Sequence, residues 1–180
     1  MTADGTGHPV RLVTERLILD GHRPEDFEPL AAMWSDPVIM QGLGGQLSTR
    51  QESWMRLLRY RGLWPVLGYG YWAVREKTTG RFVGDIGFAD FHREIDPSID
   101  GVPEAGWILA AWAHGRCFAA EAATAAFGWL DGKTGFARSV CLIDPANRAS
   151  IRLAERCGFR SPVTVAFRGA ASLLFTRERP

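Results

Sequence analysis

The stretch Trp112-Ala-His-Gly-Arg-Cys-Phe-Ala-Ala-Glu-Ala122 carries the clearest chemical signal in this chain. It lies between a strand-like run, Glu104-Ala-Gly-Trp-Ile-Leu-Ala-Ala111, and an alanine-rich helical pattern. A strand that passes through a small-residue turn into a helix leaves several backbone N–H groups without partners. With the positive end of the helix dipole they form an anion site, and the expected anion is the pyrophosphate of a cofactor. Two common phosphate loops are excluded on residues. No Gly-x-x-x-x-Gly-Lys-Ser/Thr run exists. A dinucleotide fingerprint needs Gly-x-Gly-x-x-Gly after an early strand, and here Gly115 is followed by Cys117 and Ala120 at the later glycine positions. The remaining reading is a turn that cradles a pyrophosphate with backbone amides alone.

The elements that must position this turn are legible from periodicity and punctuation. Arg16-Leu-Ile-Leu-Asp20 reads as a strand, and Arg23-Pro-Glu-Asp opens a helix through about Trp34 that Asp36-Pro37 stops. Gly42-Leu-Gly-Gly45 reads as a flexible turn. A second helix is expected up to Arg61, after an imperfect capping box in which Ser48 is followed by an acid four residues on, at Glu52. Residues Tyr69 to Arg75 and Arg81 to Phe88 are strands joined by Lys77-Thr-Thr-Gly80, a hairpin signal. After a loop over 90–103 come the next strand, to Ala111, and a helix from about Gly115 to Leu130 with Phe118, Ala122, Ala125 and Trp129 on one stripe. Ser139 to Ile143 is a strand, Asp144-Pro-Ala-Asn147 leads a short helix to Cys157, and Gly158 is placed to end it in the left-handed region. Thr164–Phe167 and Ser172–Thr176 are the last strand candidates. The order predicts a mixed α/β layer with antiparallel hairpins first and a crossover helix later.

With 180 residues, one domain is expected over 11–180, behind a flexible tail over 1–10. A net charge of +1 gives no sign of a nucleic-acid partner. No apolar run approaches the roughly 20 residues that span a bilayer, and the first residues lack the regions of a signal peptide, so no membrane partner is expected. Three widely spaced cysteines suit neither a disulfide framework nor a zinc site, which points to a cytoplasmic protein without metal.

Four segments, in order, resemble the GNAT acyltransferases, and within them the RimJ/RimL-type branch. Thr14-Glu-Arg-Leu-Ile-Leu19, with Pro24-Glu-Asp26 and Trp34-Ser-Asp-Pro37, is similar to that branch's opening strand and helix. Glu104-Ala-Gly-Trp-Ile-Leu109 resembles its fourth strand, and Gly115-Arg-Cys-Phe-Ala-Ala-Glu-Ala122 its acetyl-CoA pyrophosphate loop and following helix. Asn147-Arg-Ala-Ser150 with Glu155-Arg-Cys-Gly-Phe159 resembles its second cofactor motif. Two departures stand out. Cys117 replaces a residue chosen for close approach to phosphate, and Ala154 stands where many GNAT enzymes carry the tyrosine that protonates the departing thiolate.

The resemblance implies a GNAT fold, with a mixed central sheet of about six to seven strands flanked by helices. It implies acetyl-CoA as cosubstrate and acetyl transfer to an amine by direct attack, the acceptor being a peptide or protein N-terminus. A small amine such as a polyamine or an aminoglycoside is the alternative, and a non-catalytic acyl-CoA sensor the alternative outside enzymes. The protein is expected as a monomer or homodimer. The resemblance also implies roles. The backbone of Trp107, Ile108 and Leu109 would pair with the pantetheine arm, and His114, Gly115, Arg116, Cys117, Phe118 and Ala119 would cradle the pyrophosphate. Asn147 would contact the cofactor or simply cap a helix. Glu104 would act as base, directly or through water. Ser150 would protonate the thiolate, or else water would. An acidic excess over 85–104 against a single Arg93 would draw a cationic acceptor, and Trp34, Trp54, Trp64 and Trp72 are candidates to line its pocket.

Overall fold

The computed structural model describes residues 7–180, so the first six residues of the expected tail lie outside the described residues. The described remainder of that tail is held against the domain: Val10 O accepts from the Trp72 indole at 2.6 Å.

One sheet organises the chain. Its strands are β1 (Leu12–Val13), β2 (Leu17–Asp20), β3 (Tyr71–Glu76), β4 (Phe82–Ala89), β5 (Glu104–Leu109), β6 (Arg138–Ile143), β7 (Arg160–Phe167) and β8 (Ala170–Glu178). They lie in the order β1-β2-β3-β4-β5-β6-β8-β7. The eighth strand, beyond the seven expected, is the two-residue β1, too short to show a period. Every neighbouring pair is antiparallel except β5 and β6, which are parallel. A parallel pair needs a crossover, and α4 (Phe118–Lys133) supplies it. The remaining helices are α1 (Phe27–Trp34), α2 (Pro37–Met40), α3 (Arg50–Leu67) and α5 (Arg148–Arg156).

Strand alternation separates two large clusters of the core, beside a smaller third one of Ile99, Val140, Val165 and Leu174. Trp72, Val74, Ala105 and Leu109 pack with Phe118, Ala122, Ala126 and Trp129 of α4 on one face. Tyr71, Ala73 and Ile108 pack with Leu30 and Met33 of α1 and Leu57 and Tyr60 of α3 on the other. Of the four tryptophans offered for an acceptor pocket, Trp64 and Trp72 belong to the core instead. They meet edge-on at 4.8 Å, and Trp129 lies 5.4 and 5.2 Å from them.

Local boundaries follow capping chemistry. The capping box of α3 exists one residue later than Ser48, on Thr49. The Glu52 carboxylate accepts from Thr49 N at 2.7 Å, and Glu52 N donates to the Thr49 hydroxyl at 3.2 Å. The helix runs past Arg61 to Leu67 with Pro65 inside its last turn, where the missing N–H forfeits only one bond. Asp36 does more than stop α1: it caps α2, accepting from Val38 N at 2.9 Å. Gly158, at φ +96°, ends α5 as its position implied. Among the described residues no helix is long and apolar enough to cross a membrane.

Candidate active site

The site begins where two strands part. β5 and β6 register only at Glu104 and Val140. There Val140 N donates to Pro103 O at 3.0 Å, while at the far end of β5 Ala110 N donates across its other edge to Val83 O at 2.9 Å. By alternation, the main-chain groups of Trp107 and Leu109 face the gap, and those of Ile108 are turned to β4. Ile108 therefore offers the cleft its side chain and not its backbone. His114 already uses one of the exposed carbonyls, its Nε2 lying 3.0 Å from Leu109 O. Beyond the gap lies a cleft of about 470 Å³ between β5, the start of α4, the start of α5 and the α2 segment.

The start of α4 leaves its first-turn amides open toward the cleft. Cys117 is its N-cap, yet its side chain caps nothing, so the first-turn amides stay unpaired. Gly115 and Cys117 both adopt left-handed backbone, at φ +73° and +61°. Such a turn directs successive N–H groups into one concavity. The Phe118 ring is buried in the core, and Ala119 lines the cleft, so what each offers this turn is its amide. Arg116 turns its side chain away: it pairs with Glu76 at 2.8 Å and lies 4.5 Å over the Phe118 ring. Arg152 and Arg156, on the cleft wall, have no carboxylate partner among the described residues, and sequence reasoning missed them. Open amides, an open strand edge and unpaired guanidinium groups in one cleft fit a long ligand carrying phosphates, as CoA is.

At the start of α5, Asn147 does two things. Its Oδ1 accepts from Ser150 N at 3.0 Å, the capping role, and its Nδ2 donates to Gly42 O at 2.8 Å. The second bond ties the turn after α2 across the cleft. A Cβ at 42 would lie 2.9 Å from Asn147 Nδ2, so a larger residue there would displace the amide. Val38, Ile39 and Leu43 thereby become one wall of the cleft, a role their sequence did not signal. The Ser150 hydroxyl accepts from the Trp107 indole N–H at 3.2 Å.

On the opposite face of β5, Glu104 is 5 % exposed. Arg93 grips both its oxygens, Nη2 lying 2.7 Å from Oε1 and Nε bonding to Oε2. The lone base in the acidic run was the available signal for this pair. Half of the acidic excess is committed, while Glu94, Asp96 and Asp100 stay exposed. Asp85 is buried against His22 at 2.8 Å, and Asp90 accepts from the amides of His92 and Gly101. Asp90, His92 and Asp100 bring their ligand atoms within 4.8 Å of one another at the surface, the one such group among the described residues. Trp34 stacks under Arg56 at 3.5 Å beside Asp85, and Trp54 packs edge-on to Phe27. The hydroxyl end of Tyr71 lies against Gly106: a Cβ there would sit 2.0 Å from its Oη. Burial, and then the Glu104 carboxylate, push the Tyr71 phenol well up, so it stays a protonated donor.

Comparison with known proteins gives this geometry a context. The acetyltransferase (GNAT) domain family matches residues 16–160. The uncharacterized protein YkkB of Bacillus subtilis (strain 168) is 31% identical over 159 residues, covering 86% of this chain and 88% of YkkB. A Bordetella pertussis structure assigned to the GnaT acetyltransferases has a TM-score of 0.81 at 36% identity, over 94% of this chain and 99% of that one. Likeness of fold alone extends to two acetyltransferases at 14% identity. One is the spermidine N-acetyltransferase from Vibrio cholerae in complex with CoA and spermine, at a TM-score of 0.70 over 92% of this chain and 97% of that one. The other is the ribosomal L7/L12 alpha-N-protein acetyltransferase RimL in complex with CoA, at 0.72 over 93% and 96%.

Proposed function

Because the chain belongs to the GNAT acetyltransferase family, we propose that its cleft binds acetyl-CoA and that its residues direct the acetyl group to an amine of the N-terminal kind. One observation supports this above the others. β5 and β6 part after Glu104 and Val140, which sets the free edge at Trp107 and Leu109 in line with the uncapped start of α4. Bound acetyl-CoA supplies an acyl group activated as a thioester.

The chain's residues divide the remaining work. Main-chain groups of Trp107 and Leu109 pair with the pantetheine arm, and an N–H of this edge polarises the thioester carbonyl. The amides from Gly115 to Ala119 hold the pyrophosphate, with Cys117 providing the left-handed turn. His114 braces the Leu109 carbonyl, and Asn147 holds the α2 wall in place. Both Glu104 oxygens are bonded to Arg93, and the carboxylate is buried. Each oxygen keeps a second lone pair, and Glu104 therefore takes the acceptor's proton through a water. Ser150 protonates the leaving thiolate: its oxygen accepts from Trp107, and its own proton has no partner among the described residues.

The acceptor follows from amine chemistry and from the wall of the cleft. An α-amine, with a pKa near about 8, is appreciably neutral at physiological pH, whereas lysine near about 10.4 is not. Val38 and Leu43, 70% and 42% exposed, give the entrance an apolar rim, and the buried acids nearby, Asp85 and Glu104, are committed to internal partners. That suits a peptide N-terminus better than a polycation. The test is acetyl-CoA turnover with short peptides of varied first residue, set against spermidine, spermine and an aminoglycoside. Faster turnover of the polyamines removes the N-terminal reading. CoA binding without turnover of any amine replaces the enzyme with a sensor.

A further inference from the structure

We propose that the side chain of Trp107 is a positioning residue for acid catalysis: its indole N–H fixes the Ser150 oxygen so that the hydroxyl proton is presented to the leaving sulfur. The inference rests on the reading of Ser150 as the acid.

The argument begins with donors and acceptors. An indole nitrogen only donates, and a serine hydroxyl has one proton and two lone pairs. The 3.2 Å bond from Trp107 Nε1 therefore occupies one lone pair of Ser150 Oγ and leaves the proton free. A helical serine can turn that proton back onto the carbonyl three or four residues earlier. Ser150 has no such bond, and its own N–H is held by Asn147 at 3.0 Å. Backbone and oxygen are thus both tied, and the proton alone remains to be directed.

Location separates this bond from packing. Trp107 lies on the α4 side of β5, between Ala105 and Leu109, where an aliphatic side chain would pack as well. Its single polar atom reaches across the gap to α5. It thereby joins the two arms of the cleft beyond their last strand register, at Glu104 and Val140. Both residues line the cleft.

In the transfer step the acceptor nitrogen bonds to the carbonyl carbon and the C–S bond breaks, its electron pair staying on sulfur. The Ser150 proton moves to that sulfur, giving the CoA thiol. The proton lost by the amine passes through water to Glu104, which later releases it to solvent, and Ser150 regains a proton from water. Acetyl-CoA and amine become amide and CoA, with nothing oxidised or reduced. A hydrogen bond received by an oxygen strengthens the one it gives. As the proton leaves, charge builds on Oγ, and a donor already aimed there stabilises it without reorganisation.

The test needs no acceptor, because CoA itself is the probe. A hydroxyl donating to the bound thiolate favours its ionisation, so thiolate absorbance against pH, with and without CoA, reads the contact directly. Trp107→Phe keeps a ring and removes the N–H. It should raise the pKa of the bound CoA thiol, reducing its ionisation constant about threefold to tenfold. Ser150→Ala should raise it at least as far, and the double variant no further. In acetyl-CoA turnover Trp107→Phe should lower kcat by about the same factor, with KM for acetyl-CoA within about twofold. In the free protein, the Trp107 indole N–H cross-peak, assigned in the wild-type spectrum, should move in Ser150→Ala, a check that holds even where Trp107→Phe folds poorly. If Ser150→Ala leaves the thiol titration unchanged, the reading of Ser150 as the acid falls first. If Ser150→Ala shifts it and Trp107→Phe does not, or the two effects multiply, only the role of Trp107 is overturned. An unmoved indole peak in Ser150→Ala also overturns it.

Discussion

Replacing Gly106 by alanine tests the packing beneath the site most directly. The added Cβ would lie 2.0 Å from the Tyr71 hydroxyl oxygen and 3.1 Å from Cζ, so Tyr71 must move. Its ring is held: it is buried and stacks on Tyr60 at 4.4 Å with 7° between the planes. Overpacking of this kind costs about 1–3 kcal/mol, and loss of an aromatic stack adds about 0.5–1.5 kcal/mol. About 3 kcal/mol is therefore expected. For a domain of this size each kcal/mol moves the melting temperature by about 2–4 °C, which predicts a fall of about 6–12 °C for Gly106→Ala. Tyr71→Phe deletes the oxygen in the closest contact and leaves the 3.1 Å approach to Cζ. The double variant Gly106→Ala/Tyr71→Phe should recover at least about half of the loss, a coupling expected only of residues in contact. Thermal unfolding followed by circular dichroism on the four proteins measures it. A melting temperature for Gly106→Ala within about 2 °C of wild type, or strictly additive effects in the double variant, would refute the placement of Tyr71 over this strand.

Cys117 adopts a left-handed backbone that costs a non-glycine residue about 1–2 kcal/mol. Cys117→Gly should therefore raise the melting temperature by about 2–4 °C after glycine's own entropy is counted, without weakening CoA binding by calorimetry. Exposed Cys117 should alkylate well before Cys141, whose thiol burial pushes far up, and CoA should protect it; peptide mapping with equal labelling of Cys117 in both samples would move the pyrophosphate elsewhere. Arg93→Ala leaves a buried carboxylate unpaired and should destabilise by about 3–5 kcal/mol in urea unfolding, with Glu104→Gln restoring part of it. Burial raises the Glu121 carboxyl, but hydrogen bonds from the Thr14 hydroxyl, the Arg16 amide and the Arg16 guanidinium pull it lower still, to a net value below the usual carboxylate range. A depressed carboxylate stabilises above its unfolded pKa and loses that contribution as pH falls through the folded value. The stability difference between wild type and Glu121→Gln should be present at neutral pH and vanish on acidification; a difference independent of pH would show that the ionised form has no part in it.

Short-range chemistry was readable along the chain. The hairpin at Lys77–Gly80, the end of α5 at Gly158 and the uncapped turn into α4 each depend on residues within a few positions of one another, where turn and capping preferences act directly. The strand-like run from Glu104 to Ala111 likewise put Glu104 and Trp107 on one strand. Partners across the fold were a different matter. Glu104 with Arg93 is separated by a loop that no period describes, and Asp85 with His22 by 63 residues. Asn147 clasps Gly42 over 105 positions, which turns an apparently loose glycine turn into a wall of the cleft. The bond from Trp107 to Ser150 needs the divergence of β5 from β6, and that divergence is a property of strand order. Backbone preference acts over a few residues and is written in composition. Which side chains meet is set by how a sheet orders its strands, and the sequence carries that only through the packing of the whole chain.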